Sequence, residues 1–245
     1  MPQSQSFTAK ARMDGPADFI HPVTPAALEA ALALYAPDAS FSAREASVLE
    51  YVFQSVNMSR DVRGRMLEFY IMQQLSAARS FKLGGRQLGK TNVASPTFTP
   101  LADVRGVQVV RWYGHGLPQG EIDVARNVLL WPHSSNYPGV DGMLWLADTK
   151  TLVLLQITLS SVEGHDSNFW ADNVKRRSLW QDKLGARSIK ELWLTPYTSA
   201  GDKRAHTGQY VCTLAELLEQ NAVMFPLLRK WEPSEEVGAQ RADTS

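Results

Sequence analysis

The sequence lacks the means for several kinds of structure. It has one cysteine, Cys212, so neither an intrachain disulfide nor a multi-cysteine zinc site can be built. A lone thiol fits a reducing, intracellular compartment. No uninterrupted apolar run approaches the roughly 18 residues that span a bilayer, so no membrane partner is expected. The opening residues, MPQSQSFTAKARMDG, have no apolar core of the kind a secretory signal uses. Net charge is absent too: 25 basic residues balance 25 acidic ones, which in the sum argues against a nucleic-acid partner. No internal repeat is found. What remains is a chain of 245 residues that is 44% hydrophobic and 20% charged, enough apolar material for one soluble globular domain with peripheral helices.

The charge that vanishes in the sum reappears in the distribution. Residues 60–111 carry nine basic side chains against three acidic ones, and residues 174–190 carry six against Asp182 alone. Between them, residues 112–173 carry seven acids against Arg126 and Lys150. Two basic segments around an acidic centre suit a metal-dependent enzyme that acts on a polyphosphate, although solvated helix faces produce such runs as well.

Periodicity and punctuation predict the elements. Residues 1–24 read as a loose tail, and the last dozen, 233–245, as another. Between them residues 25–232 read as a single domain, with its core at about 60–200. Helices are expected at 25–36, with Thr24 and Pro25 at the start, and at 42–56, where Ser42 and Glu45 have capping-box spacing. A third and strongest helix is expected at 59–80, with Val62, Met66, Phe69, Met72 and Ala77 as its apolar stripe. Strands follow at 104–114, 122–132, 137–148 and 151–160, the last two forming a hairpin around Asp148–Thr149–Lys150. A helix at 168–185 ending at Gly185, a strand at 189–197 and helical residues at 213–231, kinked near Pro226, complete the order. The fold class predicted is α/β, a mixed sheet flanked by helices.

Two groups of residues carry possible chemistry. Gly84–Gly85–Arg86–Gln87–Leu88–Gly89–Lys90–Thr91 matches G-x-x-x-x-G-K-[ST], the loop that cradles phosphates in many NTPases. That loop needs a buried strand before it and a helix after it. Here a helix precedes, and Pro96 and Pro100 follow, so a basic glycine-rich loop is the preferred reading. The second group is Asp141, near the start of one hairpin strand, and Gln156 within its partner. Adjacent strands can aim side chains at one point, and a polar residue in an apolar strand such as LVLLQITLS needs a partner or a ligand. Glu68, set among Met66, Leu67, Phe69 and Tyr70, would complete a hard-oxygen site suited to magnesium. Taken singly, Asp141 could cap a turn and Gln156 could bond a neighbouring backbone.

At these residues the chain resembles the PD-(D/E)XK restriction-endonuclease-like superfamily, and more narrowly the nuclease-like domain of Crinkler effectors and trypanosomal retrotransposon-hot-spot proteins. That group shows a helix of the type RG-x-x-F-E, a segment N-x-P-G-V-D, then F-Q-x-T-x-S with a nearby His. Here stand Arg63–Gly64–Arg65–Met66–Leu67–Glu68, then Asn136–Tyr137–Pro138–Gly139–Val140–Asp141, then Leu155–Gln156–Ile157–Thr158–Leu159–Ser160 with His165, and later Leu194–Thr195–Pro196. The resemblance covers about residues 60–200. It implies a restriction-endonuclease-like mixed sheet flanked by helices, with extra N-terminal and C-terminal helices. It also implies magnesium- or manganese-dependent hydrolysis of nucleic acid, DNA before RNA, at Glu68, Asp141, Gln156, Thr158 and His165.

On this resemblance Glu68, Asp141 and the Ile157 backbone carbonyl would hold the metal, Gln156 would complete its shell, and Lys175, Arg176 and Arg177 would contact the nucleic acid. Gln156 stands where the superfamily usually has Glu, and Thr158 where it usually has Lys; the narrower group shares Q-x-T. Lys150, Lys175 and Arg176 are candidates for the missing cation. The alternative implied is a catalytically inactive nuclease-fold effector module that binds nucleic acid or a protein, with a nuclear location if the effector resemblance holds. His165 reads equally as an acid–base group and as a helix-start residue. His115 and His133 read as loop residues, Trp170, Trp180 and Trp193 as core, and Cys212 as a small hydrophobe.

Overall fold

The computed structural model describes residues 60–88, 97–112, 117–132, 140–159, 178–197, 208–225 and 228. The expected helices at 25–36 and 42–56, the first part of that at 168–185, the kink at Pro226 and both tails lie outside the described residues.

Helix α1 (Arg60–Ala77) leads into β1 (Ser80–Gln87), β2 (Phe98–Arg105), β3 (Gln108–Trp112), β4 (Val128–Pro132), β5 (Gly142–Leu146) and β6 (Thr151–Ile157). Helix α2 (178–184), β7 (Ser188–Thr195), β8 (Gln209–Thr213) and α3 (Leu214–Gln220) follow. The architecture is α/β, with all eight strands in one mixed sheet ordered β2-β1-β8-β7-β6-β5-β4-β3. β4, β5 and β6 form an antiparallel meander, while β6, β7 and β8 run parallel and β3 runs parallel to β4. Among the described residues no helix is long and apolar enough to cross a membrane.

The two edge strands are consecutive in the chain. A flat sheet of eight strands would set its edges about 34 Å apart. Only Gly106 and Val107 lie between β2 and β3, which bridges about 10 Å. The sheet must therefore curl until its edges approach. Gly106 makes the corner at φ +69, and its N–H donates to the Arg79 carbonyl at 2.7 Å.

The expected strand at 104–114 is thus two strands on opposite edges. The stretch 122–132 shrinks to β4, because Asp123 accepts from the Ala125 N–H and holds the residues before Asn127 in a turn. Besides β1, two strands were not legible. β2 carries Pro100 and is tolerated because it is an edge strand, with Pro100 paired to Gly84 at a bulge. β8 lay hidden in front of a helical pattern. The helix expected over 213–231 begins as predicted, with Thr213 as N-cap in a capping box with Glu216, but it ends at Gln220. There Asn221 turns its side chain to Lys82 of β1, accepting from its N–H and donating to its carbonyl, both at 2.8 Å.

The glycine-rich stretch is also corrected. Gly84 to Gln87 form the end of β1 rather than a loop, pairing with β2 and β8, so their backbone is committed to a sheet. A Cβ on Gly84 would lie 2.6 Å from Phe98 Cε1, and one on Gly85 would lie 2.7 Å from the Val211 carbonyl oxygen. The glycines are there so that strands can approach. Lys90 and Thr91 lie outside the described residues.

Helices cover both faces. Trp180 and Leu184 of α2 pack on Val128, Leu130, Met143, Trp145, Leu152 and Leu154. α1 packs on the opposite face, where Phe69 meets Trp131 at 5.7 Å between ring centroids and Met72 lies against Gly142. α1 is buried on more than one side: Met66, Leu67, Tyr70, Ile71, Met72 and Leu75 are all closed from solvent. That is why its sequence shows no clean stripe, and why Ala77, expected in the stripe, is exposed.

Candidate functional site

The site starts from a glycine. Gly142, the first residue of β5, has no Cβ, and a Cβ there would run into the Met72 thioether. This lets α1 settle on the sheet beside the start of β5. Glu68 lies one turn before Met72 on the same helical ridge, and Arg65 lies three residues before Glu68. Both belong to the end of the hairpin where β5 starts and β6 stops. The Arg65 guanidinium donates from Nη1 to Glu68 Oε2 at 2.9 Å, and the two side chains are 33% and 21% exposed.

Asp141 immediately precedes Gly142. Its N–H donates to the Leu155 carbonyl at 2.9 Å, and its Oδ2 accepts from the Ile157 N–H at 2.6 Å. The carboxylate so closes the ladder between β5 and β6 at a place where a strand carbonyl would otherwise stand. Burial pushes its pKa up from the ordinary 3.8 to about 6. The Ile157 N–H and then the charge of Arg65 pull the other way.

Gln156 reaches the same end of the hairpin from the other side. Leu155 pairs with Gly142 on the α1 face, so Gln156 leaves β6 on the face of Leu152 and Leu154, the one α2 covers. Its Oε1 is buried and has no hydrogen-bond partner among the described residues, a condition that costs about 1–3 kcal/mol. Thr158 is buried beyond the end of β6, and its N–H donates to the Leu194 carbonyl of β7 at 2.9 Å. Its position holds no cation. Glu68 is thus ion-paired to Arg65 and Asp141 is bonded to the Ile157 N–H, whereas Gln156 leaves the sheet on the opposite face from α1. His165, Lys175, Arg176, Arg177, His115, His133 and Trp170 lie outside the described residues; Trp180, Trp193 and Cys212 are buried, as expected.

One candidate is removed. Lys150 sits in the turn before β6, and the strand from Thr151 to Ile157 carries the chain about 20 Å away from it before Asp141 is reached. It cannot supply the missing cation. Arg65 is the cation at the site that sequence reading passed over, and its i, i+3 spacing to Glu68 was the available signal. The basic stretch 60–111 is also less open than its charge suggests. Besides Arg65, Arg86 binds Glu216 at 2.6 Å, and Arg111 stacks 4.6 Å from the Trp131 ring centroid while donating to Gln73 and Ser76.

As a donor set for a hard divalent cation, the site offers two carboxylates and an orphaned amide oxygen, all oxygen ligands of the right kind. Among the described residues no three His, Cys, Asp or Glu side chains gather as a metal group, and Gln156 leaves the sheet on the face opposite Glu68. Comparison with models of protein families, with curated proteins and with solved structures found no match to this chain.

Proposed function

We propose that this is a nuclease-like domain whose site acts on phosphodiesters of nucleic acid, DNA before RNA, with magnesium or manganese. The observation that carries the reading is Asp141 at the β5–β6 end, its Oδ2 held by the Ile157 N–H beside the orphaned Gln156 oxygen, with Glu68 on the helix that packs against Gly142. Element order supports it as well. α1 with Glu68, the meander β4–β5–β6, α2 and the parallel β7 follow the order that the restriction-endonuclease-like resemblance implies, with β1, β2 and β3 as departures between α1 and the meander.

Glu68 and Asp141 would hold the ion, with the Ile157 carbonyl as the neutral donor. A bound divalent cation supplies an activated water and charge neutralisation at a phosphate. The chain's own residues do the arranging. The Ile157 N–H fixes one oxygen of Asp141, and Arg65 orients Glu68. The Gln156 and Thr158 departures offset each other in charge, since an acid and a base are lost together from one strand.

The test is incubation of the full chain with duplex and single-stranded DNA and RNA, with magnesium, manganese or chelator. We expect metal-dependent cleavage that Glu68→Ala and Asp141→Ala each reduce at least about a hundredfold. Cleavage that survives both substitutions, or its absence from the wild type on all four substrates, overturns the reading. The absence of a third acid and of a cation at position 158 favours a second reading, a non-catalytic module of the same fold that binds nucleic acid or a protein. Retained binding without cleavage would select it.

A further inference from the structure

We infer that Arg63 and Gly64, in the first turns of α1, form a docking point for a backbone phosphate of nucleic acid. This rests on the nucleic-acid reading above and names where on the chain such a ligand is held. Two features of α1 cost stability, and no described residue offsets them. Arg63 is half-buried, and its Nε is closed from solvent without a hydrogen-bond partner. Among the described residues its guanidinium makes no hydrogen bond or ion pair at all. A guanidinium whose donors leave water is ordinarily paired, and the first turn of a helix is the end that disfavours a cation.

Gly64 is the second feature. Glycine is a poor helix former, kept inside an element where something must come close. Gly84, Gly85 and Gly142 each face an atom that a Cβ would strike, on Phe98, Val211 and Met72. A Cβ on Gly64 would meet nothing within 4 Å among the described residues. Gly64, Glu68 and Met72 share the ridge that is seated on Gly142, so this open place lies one turn before Glu68.

One ligand removes both costs. A phosphate diester accepts in parallel from Nε and an Nη of one guanidinium, the fork geometry that suits arginine. Bare backbone at Gly64 lets a sugar–phosphate chain lie closer to the helix than any side chain would allow. A contact of this kind positions the strand without reading its sequence.

The experiment measures binding of the full chain to a labelled DNA duplex, and to one of its strands alone, by fluorescence anisotropy over a salt series. It is run in chelator and again in calcium, a readout separate from the cleavage assay. Wild type, Arg63→Gln, Arg63→Lys and Gly64→Ala are compared, with Arg126→Gln, at an exposed arginine paired to Asp123, as control. Arg63→Gln should weaken binding about three- to tenfold on unrelated sequences alike and lower the salt slope by about one. Arg63→Lys should keep more affinity than Arg63→Gln, and Arg126→Gln should not change. Gly64→Ala should weaken binding by a similar factor while raising the urea midpoint of unfolding, because its methyl meets nothing in the folded chain. A residue with a structural role alone would not move stability and binding in opposite directions. Wild-type affinity in Arg63→Gln or in Gly64→Ala overturns the inference while leaving the nucleic-acid reading. A lowered urea midpoint in Gly64→Ala overturns it too, since the fold itself would then require the glycine. No binding by wild type to duplex or single strand at low salt overturns the inference and the nucleic-acid reading together. Weakened binding in both variants, with no cleavage in the assay above, sustains the inference and removes only hydrolysis.

Discussion

Two carboxylate–arginine pairs face each other across the logic of this fold, Glu216 with Arg86 and Glu68 with Arg65. Glu216 is saturated. It accepts from Arg86 Nε at 2.6 Å, from the Thr213 N–H at 2.8 Å and from the Thr213 hydroxyl at 3.2 Å, and its own N–H donates to that hydroxyl. Every bond fastens α3 to β1 and β8. At the other pair, Arg65 binds Glu68 at 2.9 Å, while Asp141 carries a raised pKa that the charge of Arg65 partly offsets, and the Gln156 oxygen has no partner among the described residues. The first pair spends its charge on structure, while the Gln156 oxygen keeps polar capacity that no described residue uses. Unsatisfied polar capacity in a folded protein costs stability, so its retention marks the place to look for a ligand.

The sharpest way to break the comparison lies under the saturated pair. Gly85→Ala would push a Cβ into the Val211 carbonyl, a backbone atom that cannot rotate away. A loss of about 2–3 kcal/mol is expected in urea unfolding. Glu216→Ala removes the capping box and the Arg86 partner together, and about 2 kcal/mol should be lost in the same measurement. A loss below half of that would mean the saturated pair is not structural.

At the other pair the sign should reverse. Folded Asp141, at about 6, holds its proton more tightly than an unfolded carboxyl at 3.8, so ionising it costs the folded state. The cost is absent below about pH 4, grows through the interval and is complete above pH 6. Asp141→Asn, neutral throughout, should therefore be more stable than wild type by about 1–2 kcal/mol at pH 7.5, a figure held below the full shift because the residue keeps some exposure. The difference should disappear at pH 4 in parallel urea titrations. A variant less stable at pH 7.5 would show that the Ile157 bond outweighs burial. The smallest effect belongs to Arg65 and Glu68. A double-mutant cycle to Ala should give a coupling of about 0.5 kcal/mol or less.

Legibility followed the range of the interactions. The hairpin at 142–157 was readable because its two apolar runs and their turn are local, whereas the capping box at Thr213 that starts α3 was not read from the sequence. The burial of Cys212, whose thiol is pushed up by its apolar surroundings and then by Glu216, was visible from its neighbours. β2 was not visible, because an edge position is what makes Pro100 acceptable there and no local pattern announces an edge. The glycines of β1 looked like a loop because their reason lies in Phe98, Thr99 and Val211, which are distant in sequence. Among the site residues Glu68, Asp141 and Gln156 were each identified as polar residues in apolar settings. Arg65 was missed because it looks like any solvated helix cation until its ion pair with Glu68 is seen.

The sequence by itself determined the helix that carries Glu68, the β5–β6 hairpin, the single buried thiol, and the polar residues whose burial would need an explanation. Those follow from periodicity, capping and the cost of hiding a polar group, all of which act within a few residues. The tertiary structure decided that β2 and β3 stand at opposite edges of one curled sheet and that the 84–87 segment is a strand. It also decided that Lys150 is remote from the site, that Glu68 and Gln156 belong to opposite faces of the sheet, and that Arg65 is ion-paired to Glu68. The physical reason is common to all of these: each depends on which strand lies next to which and on the face from which a helix packs, and contacts between residues far apart in the chain set both.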